Sequence, residues 1–231
     1  MIGNNIKKSI FFLFFIITII RTNSFYEKES KQCIVVLDPA GDAKKTGRSI
    51  GNSFERGLTL QCAEKIKEII ELQTHNTIKV IITRLPGDIV YELQNASLAN
   101  RIDADLFLTI NFYQTHDTKP TLYVYHFSYG NDFEHQYQSL SLNTYDQAYM
   151  INKKQTDAIV HVCKKTLSRH EYNSLFTVAQ PYSLPIKPLI GIMAPSIAIE
   201  AGLKNKESWH NYAEPIAATI IAAIEYLREQ A

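Results

Sequence analysis

The strongest constraint on the fold is an apolar stretch near the start of the chain, Ile34–Leu37, which runs directly into Asp38 and Pro39. Its mostly β-branched residues are typical of a strand buried on both faces, as in parallel sheets that are covered by helices. The small residues at 40–43 indicate a loop at the edge of that sheet. The stretch therefore predicts an α/β protein in which this loop forms part of a site.

The rest of the chain repeats this alternation. Apolar residues at helical spacing predict amphipathic helices, and short apolar runs that end at turn residues predict strands. The predicted helices are 55–72, 89–102, 146–167 and 215–229; the predicted strands are 34–37, 78–84, 106–110, 121–127 and 196–199, with a short extended piece at 190–193 and a turn at Gly202. Such an order predicts a single α/β domain with a mostly parallel twisted sheet flanked by helices.

Composition and charge narrow the class of partner. The chain has 231 residues, 45% hydrophobic and 20% charged, which fits one globular core. A formal net charge of +1 provides no basic surface, so we do not expect nucleic acid as a partner. A neutral polysaccharide or a peptide is compatible with this charge.

Polar side chains follow several of the apolar runs. Glu55 lies between a glycine- and serine-containing loop and a predicted helix, Asn111 ends the strand 106–110, and Glu200 ends the strand 196–199. Ligands of open α/β sheets bind beyond the carboxyl ends of the strands. We therefore expect these side chains and the loop after Asp38 to converge on one site. Glu55 has a second explanation, because a carboxylate is favoured at the start of any helix.

The same motifs resemble the zinc-dependent N-acetylmuramoyl-L-alanine amidases, which cut the amide between muramic acid and the stem peptide of peptidoglycan. In that family a strand ends in Asp-Pro-Gly-His-Gly-Gly, a helix opens with Glu, a second strand ends in Ser-Ile-His, and the last strand ends in Val-Glu-x-Gly-Phe-x-x-Asn. The corresponding segments here are Asp38-Pro39-Ala40-Gly41-Asp42-Ala43, Glu55-Arg56, Thr109-Ile110-Asn111 and Ile199-Glu200-Ala201-Gly202-Leu203-Lys204-Asn205. Their order and spacing cover nearly everything after the first thirty residues, and imply the amidase fold.

The departures from the family pattern concern the metal. The resemblance implies that Gly41 and Asn111 stand where the two zinc-ligand histidines belong, while the ligand Glu55 and the catalytic Glu200 remain. Glycine has no side chain to coordinate with, and a neutral amide is a poor zinc ligand. Asp42, next to Gly41, is a possible substitute ligand. We expect no stable zinc and no other cofactor, because zinc affinity depends on a full ligand set.

Two functions follow from these residues. The first is a degenerate, zinc-less amidase-like protein that binds peptidoglycan or its stem peptides, or regulates peptidoglycan turnover. The second is an active amidase with a rearranged or weakened metal site. Without zinc, Glu55 and Glu200 place like charges in one cleft unless a cation such as Arg56 or a loop lysine intervenes. Paired carboxylates also occur in glycosidases, which require a separation that sequence does not give.

Residues 1–30 differ from the rest. Lys7 and Lys8 precede the apolar run 10–20, a pattern typical of a secretory signal peptide, with an uncleaved membrane anchor as the alternative. We therefore predict an amidase-like domain over 31–231 that is exported to the periplasm or cell envelope, with any membrane contact made only through the N-terminal segment. The cysteines Cys33, Cys62 and Cys163 are odd in number and are expected to be buried, although a Cys33–Cys62 bridge remains possible.

Aromatic and histidine residues complete the candidates. The tyrosine-rich span 129–149 either lines a glycan groove or packs against the domain. His161 and His170 belong to no ligand motif, so we expect them at the surface.

Overall fold

The computed structural model describes residues 32–128 and 144–230. In this part of the chain the elements are β1 (Cys33–Pro39), β2 (Ser49–Ile50), β3 (Ser53–Phe54), α1 (Glu55–Gln73), β4 (Ile78–Ile82), α2 (Gln94–Arg101), β5 (Leu106–Gln114), β6 (Thr121–His126), α3 (Lys153–Leu167), β7 (Thr177–Val178), β8 (Tyr182–Ser183), β9 (Ser196–Leu203) and α4 (His210–Gln230), with 3₁₀ segments at Tyr145–Asn152, His170–Tyr172 and Lys187–Leu189.

The central sheet has the strand order β4-β1-β5-β9-β6-β7, and β8 also pairs with β6. Strands β4, β1, β5 and β9 are mutually parallel, whereas β6 runs antiparallel to β9. The predicted single α/β domain with a mostly parallel sheet flanked by helices is confirmed.

Helices cover the two faces of the sheet unequally. The larger core lies on the face covered by α1, α3 and α4, where Leu37, Leu108 and Ile199 pack against helical residues such as Ile66 and Ile220. The opposite face carries a smaller cluster that includes Ala96 of α2. Towards the carboxyl ends of β5 and β9, this second face forms the floor of the site described below.

Strands β5 and β9 are longer than predicted. Asn111 and Glu200 do not end their strands but lie inside them, and Gly202 is a strand residue rather than a turn. The physical reason is the alternation of side chains along a strand. Phe112 and Ala201, the residues that follow, return to the larger core, so the apolar pattern continues past the polar residues.

Other boundaries also differ from the prediction. Helix α2 begins at Gln94 rather than near residue 89, because Leu93 adopts a left-handed conformation with φ +60°. Helix α4 begins at His210, so Pro215 lies within it. The predicted helix 146–167 is a 3₁₀ segment followed by α3, and the predicted extended piece 190–193 is a turn containing Gly191 at φ +80°.

The cysteines are buried and free, which confirms the expectation of burial and gives no Cys33–Cys62 bridge. In residues 32–128 and 144–230, none of the helices combines the length and the hydrophobicity needed to cross a membrane. Residues 1–30, including the apolar run 10–20, lie outside the described residues.

Candidate active-site cleft

Cross-strand pairing aligns three polar side chains on the second face of the sheet. Asn111 of β5 is the register partner of Glu200 of β9, which in turn pairs with Tyr123 of β6. Register partners project to the same face of a sheet. The predicted convergence of Asn111 and Glu200 therefore follows directly from the pairing of β5 with β9.

Glu55, the first residue of α1, is 5% exposed. Its Oε1 accepts a hydrogen bond from the backbone N–H of Phe112 at 2.8 Å, and its Oε2 accepts one from the backbone N–H of Arg48 at 3.0 Å. Gly47 makes room for this carboxylate, since a Cβ there would lie 2.7 Å from Oε2 of Glu55, and its φ of +73° also favours glycine. Glu55 thus ties the loop before α1 to strand β5.

Arg48 supplies the positive charge of the cleft. Its Nη1 lies 2.5 Å from Oε1 of Glu200 and donates to the carbonyl oxygen of Phe112 at 3.2 Å. Partial burial opposes the charged form, but the hydrogen bond and charge of Glu200, with a further contribution from Glu55, outweigh it and raise the pKa of Arg48. The guanidinium therefore stays charged and compensates the carboxylates.

Sequence reasoning missed Arg48. It proposed Arg56 or a loop lysine as the intervening cation, whereas Arg56 donates to the carbonyl oxygens of Asp42 and Ala43. The short antiparallel pair β2–β3 folds the loop so that the backbone N–H of Glu55 donates to the Arg48 carbonyl oxygen at 2.8 Å. The sequence signal that could have identified Arg48 is its position in a glycine-containing loop shortly before the helix that begins with Glu55.

Both carboxylate oxygens of Glu200 are engaged. Oε1 contacts Arg48, and Oε2 accepts a hydrogen bond from the hydroxyl of Tyr125 at 2.9 Å. Burial, together with the hydrogen bond and charge of Glu200, raises the pKa of Tyr125, so the tyrosine remains a neutral donor. The side chain of Glu200 is 19% exposed and still reaches the cleft.

The loop after β1 has a constrained backbone at Gly41, which the motif resemblance predicts to replace a zinc-ligand histidine. Gly41 has φ +79°, and a Cβ there would approach Cβ of Arg56 to 2.8 Å. The buried guanidinium of Arg84 holds this region by donating to the carbonyl oxygens of Pro39 at 3.1 Å and Arg56 at 2.7 Å. A side chain larger than hydrogen at Gly41 requires the loop or Arg56 to move.

Asp42 organises the same loop. Its Oδ1 accepts from the backbone N–H groups of Lys44 and Lys45, and its Oδ2 accepts from that of Val90. These hydrogen bonds, that of Lys45 first, lower the pKa of Asp42. None of these contacts involves Glu55, the metal ligand that the motif resemblance predicts to be retained.

Asn111, His161 and His170 do not complete a set of metal ligands. The Asn111 amide donates a long hydrogen bond of 3.4 Å to the Ile199 carbonyl oxygen. His161 and His170 are exposed, as expected. Within residues 32–128 and 144–230, no group of three or more His, Cys, Asp or Glu side chains is placed to hold a metal ion.

Tyrosines form one wall of a cleft of about 490 Å³ next to Glu200. The lining residues are Arg48, Tyr113, Tyr123, Tyr125, Tyr182, Leu184 and Glu200. The predicted tyrosine-rich span 129–149 is not the source of these rings. Most of that span lies outside the described residues, and within the remainder Tyr149 packs against Phe127 while Tyr145 is exposed.

The fold and the site together define a class: an α/β domain in which a helix-opening glutamate and a strand glutamate both contact one arginine, Arg48. Structures with this fold include the catalytic domain of CwlV, an N-acetylmuramoyl-L-alanine amidase from Bacillus (Paenibacillus) polymyxa var. colistinus, with TM-score 0.59, 18% identity, and coverage of 85% of this chain and 98% of that chain. Ami1 from Mycobacterium smegmatis gives TM-score 0.58 and 13% identity, with coverage of 84% and 97%. AmiC2 of Nostoc punctiforme gives 0.54 and 18%, with coverage of 85% and 98%.

Residues 35–226 match the N-acetylmuramoyl-L-alanine amidase family, and the chain belongs to this family. The resemblance drawn from the motifs is confirmed. A search of curated protein sequences gave no match. The family is one of zinc amidases that act on peptidoglycan.

Proposed function

We propose that this protein is a zinc-free, non-catalytic member of the amidase family that binds peptidoglycan or regulates its turnover. The observation that carries the proposal is the position of the Arg48 guanidinium. Its Nη1 lies 2.5 Å from Oε1 of Glu200, and the charge of Glu55 also stabilises its charged form. A cation supplied by the protein thus neutralises the carboxylates that the family uses around its metal.

The donor set does not fit a His–Glu–His zinc site. Gly41 offers no donor atom, and its backbone leaves no room for a side chain. Asn111 offers only an amide, and both oxygens of Glu55 accept backbone hydrogen bonds. A tetrahedral zinc site prefers nitrogen and sulfur donors supplemented by a carboxylate. Rebuilding one here would require the loop and the Glu55 hydrogen bonds to rearrange.

Glu200 is poorly placed to activate water. A general base needs an oxygen that can accept the proton of the attacking water. In this chain one Glu200 oxygen binds Arg48 and the other accepts from Tyr125. Belonging to the fold does not itself confer activity. We therefore expect binding to be retained and hydrolysis to be lost.

An active amidase with a rearranged site is the second candidate. The observation in its favour is that Glu55 and Glu200 are both present and that both contact Arg48. In this alternative, Arg48 moves away from Glu200 when substrate or metal binds.

Metal content and turnover separate the two functions. Purified protein is incubated with zinc and dialysed, its bound metal is measured by mass spectrometry, and release of stem peptide from purified peptidoglycan is followed by chromatography. The variant Glu200→Ala sets the background for release. We expect clearly less than one zinc per chain, release equal to that background, and co-sedimentation of the protein with peptidoglycan. Stoichiometric zinc with release above the Glu200→Ala background would establish the active amidase instead.

We further propose that the domain is exported to the periplasm or cell envelope, with residues 1–30 as a signal peptide or anchor. Support comes from the basic start and the apolar run 10–20, and from membership of a family that acts on the cell wall. Cell fractionation with N-terminal sequencing of the mature protein tests this proposal. Recovery of the full-length chain in the cytoplasm would contradict it.

A further inference from the structure

The cleft beside Glu200 has an aromatic wall whose origin is the sheet itself. Tyr123 and Tyr125 alternate along β6 with Leu122 and Val124, which are buried in the larger core. The tyrosines therefore project to the opposite face, on the same side as Glu200. They lie at the margin of the smaller cluster, against which Tyr125 packs.

The rings form one continuous surface. The ring centroids of Tyr123 and Tyr125 are 6.1 Å apart with an interplanar angle of 16°. Tyr182 of β8 lies 6.3 Å from Tyr123 and 6.0 Å from Tyr125, and Tyr113 lies 6.2 Å from Tyr123. Gly202 permits the last contact, since a Cβ there would lie 3.0 Å from the Tyr113 hydroxyl oxygen.

Exposure distinguishes this surface from ordinary core packing. Tyr182 is 47% exposed and Leu184, on the same wall, is 42% exposed. In the part of the chain that the structure describes, the hydroxyls of Tyr113 and Tyr125 make hydrogen bonds, whereas none is formed by the hydroxyls of Tyr123 and Tyr182. A contiguous exposed apolar surface with unused polar groups at its edge is typical of a binding site.

The charges of the cleft favour a neutral ligand. An aromatic wall next to a carboxylate also suits a cation, but Glu200 is already paired with Arg48 and hydrogen bonded to Tyr125. The lining residues thus carry one positive and one negative charge that neutralise each other. A sugar ring presents apolar C–H groups to an aromatic face and hydroxyl or amide groups to polar neighbours, which matches this arrangement.

We propose that the tyrosine cleft, formed by Tyr113, Tyr123, Tyr125 and Tyr182, binds the glycan part of the ligand, with an N-acetylated sugar ring lying on the tyrosine faces. This assignment rests on the proposed peptidoglycan-binding function and adds which part of the polymer is recognised. The sugar stacks on Tyr182 and Tyr123, and their hydroxyls are free to hydrogen bond to it. Tyr125 and Arg48 hold the polar end of the cleft.

The test uses the full domain and two probes, a trimer of N-acetylglucosamine and purified peptidoglycan sacculi. Tyr182→Ala removes the most exposed ring of the cleft, Tyr182→Phe keeps the ring, and Tyr91→Ala removes a tyrosine that is 73% exposed outside the cleft. Binding of the trimer is measured by calorimetry, binding of sacculi by sedimentation, and folding by thermal unfolding.

We expect Tyr182→Ala to bind both probes about tenfold more weakly, the change that corresponds to about 1.4 kcal/mol. Tyr182→Phe keeps the ring and loses only the hydroxyl, so it should weaken binding less than Tyr182→Ala does. Tyr91→Ala should bind like the unmodified protein. Free stem peptide should not compete with the trimer.

The remaining outcomes separate this inference from the proposed function. Sacculi bound equally well by Tyr182→Ala and the unmodified protein would overturn the tyrosine cleft and leave the proposed function standing. Binding of the trimer without binding of sacculi would support the cleft and overturn the peptidoglycan role. Binding of stem peptide that depends on Tyr182, without binding of the trimer, would overturn the glycan assignment. No binding of any probe would overturn both.

Discussion

Replacing Arg48 with methionine tests the charge compensation on which the proposed function depends. Methionine replaces the aliphatic part of the arginine with an unbranched apolar side chain. It removes the guanidinium that lies 2.5 Å from Glu200 and 3.2 Å from the carbonyl oxygen of Phe112. Glu55, 5% exposed, and Glu200 are then left without their compensating cation. We expect the folded protein to lose stability.

The magnitude follows from the exposure of the pair. Fully exposed ion pairs contribute about 0.2–1 kcal/mol, and breaking a buried pair costs about 3–5 kcal/mol. The side chains of Arg48 and Glu200 are 51% and 19% exposed, between these cases. We therefore expect a loss of about 2 kcal/mol. For a domain of this size that corresponds to a fall of about 4–8 °C in Tm.

The loss should be measured at neutral pH. Arg48 is charged there in the unmodified protein, because the hydrogen bond and charge of Glu200 outweigh its partial burial and raise its pKa.

Thermal unfolding at pH 7, followed by circular dichroism, is the assay. Arg101→Met, at an exposed arginine of α2, controls for the loss of one positive charge. Arg48→Lys keeps the charge but not the forked guanidinium, and should recover only part of the stability. Equal Tm values for Arg48→Met and the unmodified protein would refute the assignment of Arg48 as the internal cation.

Further predictions concern Gly41, a buried carboxyl group and two buried thiols. Gly41→His should lower the free energy of unfolding by at least about 1 kcal/mol, because the φ of +79° at this position and the 2.8 Å approach of a Cβ to Arg56 oppose a side chain. The variant should not bind stoichiometric zinc, and a folded variant that does so on metal analysis would contradict this. Burial raises the pKa of Asp38, so this carboxyl holds its proton more tightly in the folded state than in the unfolded state. The unmodified protein should therefore lose stability relative to Asp38→Asn as the pH rises from about 4. Parallel plots of Tm against pH for the two proteins would refute this. Burial raises the pKa of Cys163 to about 12 and also raises that of Cys62, so iodoacetamide should label these thiols at pH 8 only after denaturation, as mass spectrometry of the native protein would check.

Much of the fold could be predicted because it depends on periodicity. The buried run 34–37 and the alternation of strands with helices identified the α/β class, and Glu55 was correctly placed at the start of a helix. The errors have a common cause. Asn111 and Glu200 were taken as strand ends and Gly202 as a turn because polar and small residues usually end apolar runs, whereas here they lie inside long strands, on the face opposite the larger core.

The sequence by itself determined which donors exist: a glycine and an amide in place of imidazoles, with two glutamates retained. Only the tertiary structure decided what neutralises those glutamates, because the contact between Arg48 and Glu200 joins residues far apart in the chain. The tyrosine cleft is likewise a product of strand pairing, which places β9 between β5 and β6 and pairs β8 with β6. The sequence gives the identity and spacing of the side chains, from which helices and strands can be predicted. The partner of a buried charge depends on which strands and loops are neighbours in the folded protein.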